Sequence, residues 1–402
     1  MITTMLEAME QQTAVAFKEK GSAQALWLNE WAQLVLRAYE PGRKVAYVSA
    51  YAFPMEILAA FDVVPFDFEL TSGLMGATNL ALTPMEEAER RGYSLDVCAF
   101  HRTALGAFYL EELPQPQLLI TTSYYCDGKA KTNEILGMLH GKETLLLQVP
   151  AAVTKESVRY VARQLRDIAR RLGEAIGQDL DEERLKAAVR SSNKARQSQR
   201  AMLELLQHRP APWGGAQLIS FSINSLLFTG SAVKEKLNDA FALEMQRRIE
   251  GRRLRPEKHR IYWFAWIPTY PCNVFDILRD NAVSIPLCET FRIYWDEIDE
   301  GDPFEGLALK CLHNPFVGPG TRRTQGLEKI MDDYHLEGAI LFATPACRQA
   351  NAAYALLRDA VAGCGRPFLM LDMDISDPRN YSAGQTATRL EAFVELLEQR
   401  GN

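Results

Sequence analysis

The chain has 402 residues, of which 47% are hydrophobic and 24% charged, a composition typical of a soluble globular protein of about two or three domains. Its net charge of −6 argues against general nucleic-acid binding, which needs a basic surface. No apolar segment approaches the ~18 residues that span a membrane, and the first residues, MITTMLEAMEQQ, lack the basic start of a signal peptide. We therefore expect a cytoplasmic protein that binds neither nucleic acid nor membranes.

The first part of the chain alternates between helical and short apolar segments. Residues 1–40 are predicted to be helical and end at Pro41-Gly42, a pair that breaks helices. The segment from Thr71 to Thr83 contains glycines and precedes Pro84, so it is predicted to be a loop. Strands are predicted at 44–50, 63–66, 117–122 and 144–149. Strands that alternate with helices at this spacing indicate a parallel α/β sheet.

The second part repeats this order after a long charged segment. Residues 154–255 are predicted to be helices followed by a basic linker, and Asp179 and Glu182 have the spacing of a capping box. Strands are predicted at 260–267, 282–286, 338–343 and 367–372. The pattern predicts a duplicated α/β unit, with an N-terminal helical segment at 1–40, a first α/β domain at 41–153, a helical connection at 154–255 and a second α/β domain at 256–402.

Seven cysteines without a C-x-x-C pair argue against a disulfide framework and against local zinc or ferredoxin motifs. Cys126 and Cys347 each fall between a predicted strand and a helix, and Cys98 begins another helix. In parallel sheets, ligands bind outside the carboxyl ends of the strands. Helix starts favour thiolates, so three converging cysteines would suit an iron–sulfur cluster with one open iron. The alternative is that each cysteine is a small packing residue.

Other motifs are weaker. The sequence contains no P-loop, no nucleophile elbow and no zinc-protease helix, so it should not hydrolyse ATP itself. His101 lies three residues after Cys98 and is a weak catalytic candidate, which could act as a donor or acid in a cluster pocket. The alternative is a helix residue with a satisfied hydrogen bond and no catalytic role. The basic residues from Arg252 to Arg260 could meet ligand phosphates, although a solvated charge run is the commoner explanation.

Several short pieces of sequence carry a resemblance to a known family. They are YSLDVC ending at Cys98, YCDG around Cys126, ACR around Cys347, and DPRNYS from Asp377, which is followed by RLEAF. In order and spacing they resemble the 2-hydroxyacyl-CoA dehydratase and benzoyl-CoA reductase family, in its cluster-binding subunits such as the D-component of 2-hydroxyglutaryl-CoA dehydratase. The resemblance extends over residues 40–400.

This resemblance implies two flavodoxin- or Rossmann-like parallel-sheet domains that face each other and bind a 4Fe–4S cluster through Cys98, Cys126 and Cys347. It further implies an acyl-CoA thioester substrate and a homologous second subunit in a hetero- or homodimer. An ATP-dependent iron–sulfur activator protein would supply low-potential single electrons, which reduce the thioester carbonyl to a ketyl radical. Dehydration of a 2-hydroxyacyl-CoA and ring reduction of benzoyl-CoA both fit these expectations.

Two alternatives stay open. Some relatives bind a double-cubane 8Fe–9S cluster, for which Cys288 and Cys311 are weaker candidate ligands, although both could be packing residues. A chain of that kind would be a reductase or electron carrier that acts on small molecules. A third possibility is a scaffold subunit that has lost its substrate site.

Overall fold

The structure is a computed structural model that describes residues 1–293 and 295–399. Within these residues the strands form two parallel sheets of four. The first sheet has the order β2-β1-β3-β4 and the second the order β6-β5-β7-β8, so the two topologies are the same. The strands are β1 (Val45–Tyr47), β2 (Val64–Phe66), β3 (Leu118–Thr122), β4 (Thr144–Leu147), β5 (His259–Phe264), β6 (Val283–Cys288), β7 (Gly338–Ala343) and β8 (Phe368–Asp372). The predicted fold class, with two parallel-sheet units, is confirmed.

The first sheet is preceded by two N-terminal helices and packed by further helices. These are α1 (Ile2–Lys20), α2 (Ala23–Arg37), α3 (Glu56–Ala59), α4 (Phe68–Ala77), α5 (Leu82–Arg90), α6 (Ala99–Tyr109) and α7 (Asp127–His140). The loop predicted from Thr71 to Thr83 is wrong, because α4 and the start of α5 occupy most of it. Asp67 caps α4 by accepting a hydrogen bond from the Glu69 N–H at 3.1 Å.

Gly76 lies where α4 packs against the second half of the chain. A Cβ at this position would collide with the hydroxyls of Thr269 and Ser376 in the second half of the chain. The glycine therefore permits close packing between the two α/β units rather than a turn. Pro84 lies in the first turn of α5, where a proline is tolerated because its missing N–H has no helical partner.

Four long or medium helices connect the two sheets, as predicted. They are α8 (Lys155–Ile176), α9 (Glu182–Leu205), α10 (Ala216–Asn224) and α11 (Ala232–Glu250). The cap predicted at Asp179 is wrong by two residues, since Asp181 is the N-cap of α9 and accepts a hydrogen bond from the Arg184 N–H at 3.0 Å.

Shorter helices surround the second sheet. They are α12 (Val274–Asp280), α13 (Pro303–Leu312), α14 (Thr321–Thr324), α15 (Leu327–Asp333), α16 (Arg348–Asn351), α17 (Tyr354–Gly363) and α18 (Ala383–Glu398). Single 3₁₀ turns lie at Ser225–Phe228, Glu289–Arg292 and Pro378–Asn380.

The central strands form the core of each unit. Every residue of β3, β5 and β7 is buried, as expected for parallel strands covered on both faces. Among the described residues, no helix combines the length and apolar character needed to cross a bilayer. The predicted domain limits, 41–153 and 256–402, stay predictions, and each of these ranges contains one complete sheet.

Candidate metal centre

The three candidate cysteines all occupy the N-cap position of a helix. Cys98 precedes α6, Cys126 precedes α7 and Cys347 precedes α16. The Cys126 sulfur accepts a hydrogen bond from the Lys129 N–H at 3.3 Å, and the Cys347 sulfur accepts one from the Ala350 N–H at 3.4 Å. Free N–H groups and the helix dipole stabilise negative charge, so the helix start acts in favour of a thiolate at each sulfur, against the effect of burial.

These three thiols, here called the cysteine triad, lie in one electrostatic environment. Burial raises the pKa of each thiol, and the charge of Glu69 raises each of them further. Cys347 also raises the pKa of Cys98, and both of these cysteines raise that of Cys126. Thiols from the first and second sheets therefore influence one another across the contact between the two units.

The Cys126 loop rests on a buried lysine. The ammonium of Lys129 lies 2.6 Å from Asp67 Oδ1 and 3.1 Å from Glu69 Oε2. Burial lowers the pKa of Lys129, but the two carboxylates outweigh this effect and raise it overall. Asp67 also accepts a hydrogen bond from the Ala50 N–H at 2.9 Å, which ties the loop after β1 to the loop after β2.

Glu69 connects the Lys129 ion pair to the triad through His101. Its Oε1 lies 2.8 Å from His101 Nε2, and the same nitrogen lies 4.0 Å from Cys126 Sγ. One ligand atom from each of Glu69, His101 and Cys126 lies within 4.8 Å of the others, close enough for one metal ion. Burial raises the pKa of Glu69, but Lys129 and His101 together hold it below its ordinary value.

Gly128 makes room for the imidazole of His101. A Cβ on this residue would lie 2.9 Å from His101 Cε1 and 3.1 Å from Nδ1. The glycine in the YCDG piece thus lets the histidine lie against the first turn of α7. The structure places His101 beside Cys126, whereas the sequence suggested only its spacing from Cys98.

A second buried ion pair supports the Cys347 loop. The Arg323 guanidinium binds both carboxylate oxygens of Glu289, at 2.7 and 2.8 Å. It also donates to the carbonyl of Gln349 at 2.8 Å, in the helix that Cys347 begins. Burial lowers the pKa of Arg323, but Glu289 outweighs this effect and raises it. Sequence reasoning missed this pair, although an acidic residue directly after a strand was a usable signal.

The Cys98 loop is held by an arginine that connects the two units. Arg102 donates to the Val97 carbonyl at 3.0 Å and pairs with Glu89 at 2.5 Å and Asp377 at 3.0 Å. Arg379 bridges the same two carboxylates, Glu89 and Asp377. The DPR piece of the sequence therefore serves to anchor the loop that precedes Cys98.

An aromatic residue and a surface ion pair border the triad. Tyr125 has a positive φ of 73°, unusual for a bulky residue, and its ring lies 4.2 Å from that of Tyr51. The exposed side chains of Asp127 and Arg348, each next to a triad cysteine, form an ion pair between α7 and α16. This ion pair bridges the two units at the rim of the site.

The two weaker candidate ligands have other surroundings. The buried Cys288 sulfur lies 3.1 Å from Thr290 Oγ1 and 3.6 Å from Ser222 Oγ, under the helical connection. The buried Cys311 lines a small cavity of about 30 Å³ that Tyr124 also borders. Both environments are those of packed cysteines with protein partners.

The basic segment from Arg252 to Arg260 lies at the other end of the second sheet. It leads into the amino end of β5, whereas Cys347 follows the carboxyl end of the parallel neighbour β7. Arg252, Arg253, Arg255 and Lys258 are exposed or half-buried at the surface. Arg260 is buried, and donates to the Leu206 carbonyl at 2.6 Å. Most of the segment is therefore a solvated charge run.

Comparison with known proteins shows the family of this chain. A family model described as "2-hydroxyglutaryl-CoA dehydratase, D-component" matches residues 50–397. The chain is 24% identical over 392 residues to one of the subunits of benzoyl-CoA reductase from Thauera aromatica, with 90% of each chain covered. It is 22% identical over 386 residues to the (R)-phenyllactyl-CoA dehydratase alpha subunit of Clostridium sporogenes, with 90% of this chain and 91% of the relative covered.

A third relative is longer than this chain. The (R)-2-hydroxyglutaryl-CoA dehydratase subunit alpha of Acidaminococcus fermentans is 24% identical over 310 residues, which span 74% of this chain and 64% of that subunit. The family model, by contrast, matches most of the present chain. The chain therefore belongs to the family described as 2-hydroxyglutaryl-CoA dehydratase, D-component.

Proposed function

We propose that the chain is the iron–sulfur subunit of an acyl-CoA-processing enzyme of the 2-hydroxyacyl-CoA dehydratase or benzoyl-CoA reductase type, in which Cys98, Cys126 and Cys347 hold a 4Fe–4S cluster. The relatives, named as subunits of such dehydratases and reductases, support the enzyme class. The observation that carries the cluster is the triad itself. Three half-buried thiols each lie at a helix start, and the ion pair of Asp127 and Arg348 joins the helices that Cys126 and Cys347 begin.

The donor set fits this cofactor. Thiolates are the usual ligands of iron–sulfur clusters, and three of them leave one iron open to a substrate oxygen. Coordination also removes the protons that burial keeps on these thiols. Cys288 and Cys311 have hydrogen-bonding or packing partners of their own, so the single cubane is favoured over the double-cubane 8Fe–9S alternative.

When bound, the cluster would supply single low-potential electrons to the carbonyl of a CoA thioester, giving a ketyl radical on the substrate. The chain's own residues fix the site. The ring of Tyr125, which precedes Cys126 in the chain, packs between Tyr51 and Phe316, at 4.2 and 4.6 Å. Burial of the surrounding carboxylates keeps them in fixed ion pairs, so that the site is preorganised before substrate binds.

The proposed function needs partners. We infer that the low-potential electron comes from an external ATP-dependent iron–sulfur activator, and a sequence that has no nucleotide-hydrolysing motif of its own agrees with this. We infer a homologous second subunit from the relatives, which are named as subunits. An acyl-CoA is the substrate class, and the two activities differ in that dehydration returns the electron whereas ring reduction consumes it.

The decisive experiment counts iron and acid-labile sulfide on anaerobically purified protein. We expect about four irons per chain for the single cubane, while about eight would favour the double cubane and none would favour a scaffold subunit. Cys126→Ser should lose the cluster and the activity together. Cys364→Ser is the matched control, because Cys364 directly follows α17 and its sulfur donates to the Ala360 carbonyl of that helix at 3.2 Å. A Cys126→Ser protein with full iron content would remove that residue from the ligand set.

The need for the activator is tested by turnover with purified components. The chain and its second subunit should convert an acyl-CoA only with the activator and ATP. Turnover without ATP, with a reductant too weak to reduce the cluster, would contradict the electron-transfer part of the proposal.

A further inference from the structure

Two buried carboxylates lie beside the triad and share one ammonium group. Asp67 and Glu69 both bind Lys129, and Glu69 also pairs with His101. All four side chains are at most 8% exposed. The charge of Glu69 is therefore screened little by solvent, which strengthens its interaction with nearby groups.

Glu69 is the carboxylate that connects this network to the sulfurs of the triad. It is the side chain that contacts both Lys129 and His101, and His101 in turn lies 4.0 Å from Cys126 Sγ. Its charge acts on Cys98, Cys126 and Cys347 alike. Tyr51 supplies one more contact, a hydrogen bond from its hydroxyl to Glu69 Oε2.

On the basis of the cluster proposed above, we propose that Glu69 and His101 set the reduction potential of the cluster bound by the triad. Reduction adds one electron from an external low-potential donor to the cluster. A fixed carboxylate charge nearby opposes that addition, and His101 holds this carboxylate in place against Cys126. The pair therefore keeps the cluster a strong one-electron donor, as reduction of a thioester carbonyl requires. Glu69 and His101 are positioning residues that act through the sulfurs.

The test is a reductive titration of the anaerobic holoprotein, followed by electron paramagnetic resonance of the reduced cluster. Glu69→Gln removes the charge but keeps the size of the side chain. It should increase the equilibrium constant for reduction about tenfold, which raises the reduction potential by about 59 mV for one electron. Tyr51→Phe removes a donor from Glu69, leaves more negative charge on it, and should make the cluster harder to reduce. His101→Phe should change the resonance of the reduced cluster, since it replaces the polar group beside Cys126.

Glu337→Gln is the matched control. Glu337 forms the same kind of pair with His259, at 2.7 Å, but it lies at the amino ends of the second sheet, away from the triad. Its substitution should leave the titration unchanged. If Glu69→Gln does not fold, the direction of the shift in Tyr51→Phe decides.

The outcomes separate this inference from the proposed function. A wild-type chain that binds no cluster contradicts the proposed function. A wild-type chain that binds the cluster, and whose Glu69→Gln and Tyr51→Phe variants titrate like wild type, overturns the present inference alone. Equal shifts in Glu69→Gln and Glu337→Gln would also overturn it, because the effect would then not depend on proximity to the triad.

Discussion

The two sheets carry the same device at their carboxyl ends. In the first, the loop after β1 donates from the Ala50 N–H to Asp67, which follows β2. In the second, the loop after β5 donates from the Ala265 N–H to Glu289, which follows β6, at 3.1 Å. Each acid then binds a buried cation that supports a triad cysteine. The duplication therefore extends from the strand order to the charges beneath the cysteines.

The two devices differ in the source and balance of charge. Lys129 lies in the helix that Cys126 begins, and it is shared by two carboxylates. Arg323 comes from α14, ahead of β7, and binds a single carboxylate through two hydrogen bonds. The second pair has one carboxylate for one cation and holds the backbone of α16. The first has two carboxylates for one ammonium group, and one of them, Glu69, also contacts His101 beside Cys126. The ion pair of the second sheet therefore mainly stabilises the Cys347 loop, whereas that of the first sheet can also affect the chemistry of the triad.

Replacing the two cations gives the largest expected effects and tests this difference directly. Lys129→Met would remove the ammonium group that two buried carboxylates share, and we expect a loss of about 5 kcal/mol in the free energy of unfolding. Arg323→Met would remove the cation that binds one carboxylate, Glu289, and we expect a loss of about 3 kcal/mol. Urea unfolding at constant m-value measures both. Equal losses, or a larger loss for Arg323→Met, would contradict the charge imbalance.

The cost of Lys129→Met should depend on pH. In the wild type, Lys129 and His101 hold the pKa of Glu69 below its ordinary value. The contribution of Glu69 to the free energy of unfolding is therefore present above the ordinary carboxyl pKa, and it is lost only as pH falls through the lower pKa of the folded state. In the variant, burial without the ammonium raises that pKa, so the folded state binds more protons than the unfolded one. The gap in stability between the two proteins should narrow from pH 7 to about pH 5. A gap independent of pH would show that Glu69 keeps another counter-charge.

Much of this fold could be predicted from the sequence, because buried parallel strands appear as apolar runs and short loops lead from them into helices. The same reasoning places Cys126 and Cys347 after strands and Cys98 at a helix start, whereas the set of three cluster ligands came from the family resemblance and stays a prediction. The loop predicted around Gly73 and Gly76 failed for a physical reason. Helix propensity marks glycine as a breaker, but here close packing against Thr269 and Ser376 decides.

An acidic residue after a strand can be seen in the sequence, but the partners of the supporting charges could not be predicted, because they are distant in sequence. Arg102 and Asp377 are 275 positions apart and meet only when the two units pack. Nothing local distinguishes Lys129 from the exposed Lys131, two residues later in the same helix. A charged residue becomes part of a site through its burial, which depends on tertiary structure.

The contact between the two units is tested by Asp377→Asn. The variant keeps the side-chain size but removes the charge that binds Arg102 and Arg379. We expect the free energy of unfolding to fall by about 2 kcal/mol. Burial alone would raise the pKa of Asp377, yet Arg379 and Arg102 lower it to about 2. The contribution of ionised Asp377 to the free energy of unfolding is therefore present above about pH 4 and disappears as pH falls toward 2.

Urea unfolding at pH 7 and at the lowest pH where the wild type still folds checks this prediction. The difference between wild type and Asp377→Asn should shrink on acidification. Asp359→Asn is the control, because Asp359 is an exposed acid paired with Arg358, and its substitution should leave the midpoint unchanged. A difference that grows in acid would mean that another group sets the stability of the contact.

The smallest effect is expected for the ion pair at the rim of the triad. Arg348 and Asp127 are 82% and 55% exposed, so water and salt screen their attraction and Arg348→Ala should leave the urea midpoint unchanged. The pair nevertheless joins α7 to α16 directly beside Cys126 and Cys347. Its loss should let the two helix starts separate more often, and a thiol reagent should label the triad of the cluster-free protein about twofold faster. Arg358→Ala, which removes an exposed pair within α17, should label like wild type. Unchanged labelling in Arg348→Ala would show that the buried contact of Arg102 and Asp377 holds the units together without help from the rim.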